Sequence, residues 1–146
     1  MIPSVNLLTR EISTAKYPNR TYKLTLSYEN NGVITIAQNN GIGRISGYAD
    51  GIEAVLQAVY LILSTERYKH IIYSWDYGVE LSDLDGKPIP YVIAELPRRI
   101  KEALTQDNRI TDVIDFEFEK QGKALYTKFT VVSNVGNITA DMEVAV

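Results

Sequence analysis

Residues 50–84, DGIEAVLQAVYLILSTERYKHIIYSWDYGVELSDL, decide how the rest of the chain is read. Asp50 with Glu53 has the form of a capping box, in which the first side chain accepts from a free amide and the second reaches back. A helix is expected to begin there. Ile52, Val55, Leu56, Val59, Tyr60 and Leu63 recur at helical steps and give it one apolar face that another layer must cover. The chain then passes through Thr65-Glu66-Arg67-Tyr68, a short β-rich run His70-Ile71-Ile72-Tyr73, and Trp75-Asp76-Tyr77-Gly78. Aromatic bulk, charge and a glycine packed so closely point to a site or an interface.

Upstream, residues 1–20 hold Pro3, Pro18 and no sustained period, which reads as an extended arm. Thr21 to Tyr28 alternates, Asn30-Asn31-Gly32 offers a turn, and Val33 to Ile36 returns, so a β-hairpin is expected over residues 21–48. Asn39-Asn40-Gly41 turns again before a third strand over Ile42 to Tyr48. The remainder, residues 49–146, forms the main domain. Beyond the turn-rich Leu81 to Pro88, a second helix is expected from about Pro90 to Gln106. Ile93, Leu96, Ile100 and Leu104 keep its spacing, and Pro97 is expected to kink or restart it near Leu96. Arg98, Arg99, Lys101 and Glu102 fall off the apolar face and read as solvated.

After Gln106 the pattern is β. Val113, Asp115 and Glu117 alternate with Ile114, Phe116 and Phe118; Gln121-Gly122-Lys123 turns; Leu125 to Val132 alternates; Val135-Gly136-Asn137 turns; and Ile138 to Val146 closes an antiparallel meander. The expected class is α+β: two helices packed on a small antiparallel sheet, with an additional N-terminal β-hairpin. The last strand reads as an uncovered edge with only Asp141 and Glu143 to blunt it, open to addition of a strand from another protein.

A length of 146 residues suits one domain. At 45% hydrophobic and 23% charged residues the composition is that of an ordinary globular domain, and no apolar run has the length of a membrane span. Met-Ile-Pro-Ser-Val does not resemble the start of a secretory signal. Without cysteine there is no disulfide, thiol nucleophile or thiolate metal site. A net charge of −3 without a basic patch argues against nucleic acid.

Glu66 with Asp76 is the best carboxylate pair for glycoside hydrolysis, set against Glu66 and Arg67 acting as a structural helix end. His70 lacks a Gly-x-Ser-x-Gly partner and reads as a packed or half-exposed strand residue. Asp83-Leu84-Asp85-Gly86 lacks the distant glutamate of a calcium loop and reads as a turn, so no cofactor or metal is expected.

The order of helix, Thr65-Glu66-Arg67-Tyr68 and Ile72-Tyr73-Ser74-Trp75-Asp76-Tyr77-Gly78-Val79-Glu80-Leu81 resembles the XkdS-type proteins of contractile prophages. These are a branch of the small, lysozyme-like-named baseplate wedge family, and the likeness runs from about Tyr22 to the C-terminus. In that family a first helix leads into a motif resembling G-E-R, then an aromatic or proline with Tyr/Phe-Gly, and a second helix ends in E-P-R. Here these positions hold Thr65-Glu66-Arg67, Trp75-Asp76-Tyr77-Gly78 and Asp107-Asn108-Arg109, so the first glycine and the last glutamate and proline are replaced.

The resemblance implies a non-enzymatic sheath initiator in the inner baseplate of a virion or tail-like particle, assembled in the bacterial host cytoplasm. Its partners would be other baseplate wedge proteins and the tail sheath protein, beside the tail hub or tube, at six copies per particle, with no nucleic acid and no membrane. Glu66, Arg67, Trp75, Tyr77, Gly78, Asp107 and Arg109 would carry wedge contacts, and Ile138, Met142 and Val144 those of the final strand. The family's label keeps one alternative in view, a peptidoglycan-degrading tail enzyme using Glu66 and Asp76.

Overall fold

The computed structural model describes residues 19–24, 34–36 and 45–146. The expected arm up to residue 18 and the turns at Asn30-Asn31-Gly32 and Asn39-Asn40-Gly41 lie outside the described residues. In chain order the elements are β1 (Arg20–Leu24), β2 (Ile34–Ile36), β3 (Ile45–Asp50), α1 (Ile52–Leu63), α2 (Ile89–Leu104), β4 (Ile110–Gln121), β5 (Ala124–Ser133) and β6 (Gly136–Ala145). The class is α+β as expected, with both helices and the β4–β6 sheet contributing to one core.

Helix α1 starts differently from the capping-box expectation. Its N-cap is Gly51, with φ 56° and no side-chain cap. Asp50 ends β3, directly opposite Arg20 of β1, and lies 3.5 Å from that guanidinium, while Glu53 pairs with Lys23 at 3.2 Å. Both carboxylates are thus paired with cations of β1 and neither caps a free amide of the helix. Val55, Val59 and Leu63 enter the core as the spacing predicts, whereas Ile52 stays exposed.

Gln57, also buried, faces β1: its Oε1 accepts from Leu24 N at 2.9 Å and its Nε2 donates to Tyr22 O at 2.8 Å. One side-chain amide thus reproduces a pair of ladder bonds and docks β1 on the helix.

Pro90 sits in the first turn of α2, where its missing donor costs nothing. The helix passes through Pro97 without restarting and buries Val92, Leu96, Ile100, Ala103 and Leu104.

The antiparallel meander is present, with β5 and β6 paired without interruption from Ala124↔Ala145 to Ser133↔Gly136. Strand β4 departs from the expected alternation. Its register with β5 shifts between Ile114 and Glu117, where Asp115 has φ 56°, so Val113 is buried before the bulge and Phe116 and Phe118 turn inward after it. Phe116 then stacks on Phe129 at 5.5 Å.

The additional two-stranded antiparallel unit at the N-terminal side exists, but β1 forms it with β3. Strand β2, expected as the return of that hairpin, instead runs parallel to β6, pairing Ile34–Ile36 with Ala140–Met142. Strand order is therefore β2-β6-β5-β4, and the last strand is not an uncovered edge. Its inward residues Ile138, Met142 and Val144 are core, at 4% exposure or less, because alternation aims them at the helices.

Candidate partner-binding site

After α1 the chain closes a loop on itself. Glu66 and Val79 form a parallel bridge, Val79 N donates to Thr65 O at 3.0 Å, and Arg67 N donates to Val79 O at 3.1 Å. The closure passes through Gly78. It has φ 96°, and a Cβ at that position would lie 2.6 Å from Thr65 O. Only glycine fits there without a backbone shift.

The side chains of the Thr65-Glu66-Arg67 motif reinforce the same closure. Thr65 Oγ1 donates to Leu61 O at 2.7 Å. Glu66 accepts from Leu81 N, from Ser82 N at 3.2 Å and from Ser82 Oγ at 2.8 Å. Arg67, its side chain 8% exposed, donates through Nε to Gly78 O at 3.2 Å and through Nη1 to Glu102 of α2 at 3.0 Å.

Residues 70–73, expected as a β-run, are turns inside this loop. Tyr73 N donates to His70 O and Tyr77 N to Ser74 O, which bends the chain too tightly for a ladder. His70 is exposed, with its ring edge-on to Tyr73 at 6.1 Å. Tyr77 is half-buried and stacks on Tyr73 at 4.7 Å.

Past the end of α2, Asp107 and Arg109 form a buried pair. Asp107 accepts from Arg109 Nε at 2.9 Å, from Nη2 at 2.6 Å and from the Arg109 amide at 3.0 Å. The forked contact within three residues folds this corner into a tight turn before β4, and Asn134 N donates to Arg109 O at 2.9 Å to tie it to the β5–β6 turn. Arg109 is 7% exposed, so its guanidinium is a structural anchor before it is a surface contact.

The second and third motifs meet at one cleft of about 270 Å³. Asp76, Tyr77 and Gly78 line one side and Gln106, Asp107 and Arg109 the other, over Ala58 and Ala103. Trp75 stands beside it, exposed and tilted against Tyr68 at 5.8 Å. Glu66 opens instead on a separate cleft of about 490 Å³ with Lys69, His70, Ser82, Asp85 and Val144. Glu66 and Asp76 therefore do not share a cleft, and Glu66 is engaged by amides and a hydroxyl. Ile138, Met142 and Val144 stay in the core and do not join the Asp107–Arg109 cleft.

Sequence reasoning missed the clamp beneath this loop. Arg99, expected to be solvated, is 10% exposed at its side chain and forks onto Asp83 at 2.5 and 2.9 Å, with a further donation to Glu80 O at 2.8 Å. Its spacing from Glu95, with which it also pairs, was the available signal. Asp83 lies within, and Asp85 directly after, a 3-10 turn over Ser82–Leu84. Among the described residues no cluster of three or more metal-type ligands exists.

The hydrogen bonds from Arg99 hold the Asp83 carboxyl below its usual range. A lowered carboxylate contributes stability above its unfolded value, near about pH 4, and loses it as pH falls through the folded value. Asp83→Asn is therefore expected to lower the melting temperature at pH 6 and to converge on wild type in acid. Thermal melts from pH 6 to pH 2.5 test this, and a constant difference across that range would contradict it.

Comparison with known proteins gives likenesses of three kinds. A family model described as contractile injection system sheath initiator matches residues 25–136. The chain is 45% identical over 100 residues to the phage-like element PBSX protein XkdS of Bacillus subtilis strain 168, covering 66% of this chain and 71% of that protein. A chain in the six-fold symmetrised cryo-EM structure of the anti-feeding prophage baseplate is 28% identical with a TM-score of 0.49, over 60% of this chain and 71% of that one.

Proposed function

The chain belongs to the contractile injection system sheath initiator family, and from that premise we propose that it is a non-enzymatic baseplate subunit joining wedge proteins to the first ring of the sheath. The observation that carries this reading is the use of the site's charged groups. Glu66, Arg67, Asp107 and Arg109 all close or brace backbone turns, and the result is a fixed surface around Tyr77 and Gly78. A static joint needs that rigidity, because ordering loops on binding costs affinity.

The wedge contact falls at the Asp107–Arg109 cleft with Trp75 beside it. The sheath contact falls at the β2 side of the sheet, where a three-residue parallel strand is the shortest pairing and an incoming sheath strand has least to displace. Six copies per particle, assembly in the bacterial cytoplasm and a place beside the hub or tube belong to the same reading.

A host strain carrying the particle genes without this chain is expected to make tails that lack extended sheath, visible by negative-stain microscopy. Purified chain is expected to release no fragments from peptidoglycan. Full-length sheath in the deletion strain would overturn the joint, and cleavage abolished by Glu66→Gln in a folded variant would restore the enzyme reading.

A further inference from the structure

The loop closed by Glu66 and Val79 carries a convex apolar tip. Ile71 is fully exposed, Ile72 is 82% exposed and Trp75 77%, with Tyr68 beside Trp75. Soluble proteins rarely gather such side chains in solvent without a use for them. The tip is held by the bridge at its base, by Arg67 fastened to Gly78 and Glu102, and by successive tight turns, so little ordering remains to be done on contact.

We infer that this tip is a preformed plug that inserts into an apolar pocket on a neighbouring protein of the particle, with a carboxylate on the rim opposite Lys69 and a hydrogen-bond donor opposite Asp76. The inference rests on the joint proposed above and adds the chemistry of one partner surface. Two charges choose the occupant. Lys69, next to the tip, is exposed and has no ion-pair partner among the described residues, so a carboxylate on the rim complements it. Asp76, on the other side of Trp75, is exposed as well. An anionic bilayer would repel that carboxylate and offer it no fixed donor, whereas a protein rim supplies one. An isoleucine pair with tryptophan and tyrosine at the centre and charges outside is the composition of an interface hot spot.

Trp75 is the chain's sole tryptophan, so a 5-fluorotryptophan label reports on the tip alone. The labelled chain is mixed with particles purified from cells lacking it, or with phosphatidylglycerol vesicles, and followed by co-sedimentation and by its fluorine resonance. Wild type is expected to sediment with the particles and lose its sharp free-state line, with no change on vesicles. Ile71→Ser/Ile72→Ser is expected to bind at least about tenfold more weakly while the free protein melts with wild type, because neither side chain is packed. Lys69→Glu is expected to weaken binding most at low salt.

Binding of the double variant at wild-type strength would overturn the plug and leave the joint standing. Wild type that fails to bind the particles would overturn both, and a response confined to vesicles would replace the protein pocket with a membrane.

Discussion

Gly78→Ala is expected to lower the melting temperature by roughly 10 °C, the effect of about 3 kcal/mol on a chain of this size. The added methyl meets Thr65 O at 2.6 Å, and that oxygen cannot retreat, because it accepts Val79 N at 3.0 Å in the bond that closes the loop. A left-handed backbone adds about 1–2 kcal/mol for any residue with a Cβ. Gly86→Ala separates the two causes: with φ 73° and open space around it, it carries the conformational cost alone. If the two variants melted together, the closure at Gly78 would not be tight.

Asp107→Ala is expected to cost about 3–5 kcal/mol, because it removes the bidentate partner of a buried guanidinium and leaves that charge poorly compensated. The fork from Arg109 also shapes the corner between α2 and β4, so circular dichroism should report loss of cooperativity on heating. Arg109→Lys keeps the charge but not the two parallel donors, and is expected to lose stability as well. Replacing both partners by apolar residues of similar volume should recover part of the loss. A loss below about 1 kcal/mol for Asp107→Ala would mean the other contacts of Arg109 suffice.

Much of this architecture was legible in the residues because its signals are local. Both helices announce themselves by three- and four-residue spacing, and β5 and β6 by an uninterrupted alternation that the structure reproduces as an unbroken register. The misreadings share a cause, a partner far away in sequence. Asp50 looks like a cap until Arg20 stands opposite it, and Ile71-Ile72-Tyr73 looks like a strand until the bridge of Glu66 to Val79 bends the chain into a closed loop.

The site divides in the same way. The motifs around Glu66, Trp75 and Asp107 were visible, and so was their order, but which of them share a cleft depends on packing. Gln57 gave no sign of its structural role and Arg99 only its spacing from Glu95, since a charged or amide side chain on a helix reads as solvated unless its acceptor is known.

The parallel pairing of β2 with β6 sets a schedule for synthesis. Ile34 is made first, and its ladder partner Ala140 lies more than a hundred residues further along. Contacts of such separation form slowly, because a long loop must close before they are rewarded. At about 5–20 residues per second the segment spends several seconds at least without its partner. The β6 flank therefore becomes occupied only once β6 itself has been made, and under the proposed joint the edge that would meet the sheath does not exist before then.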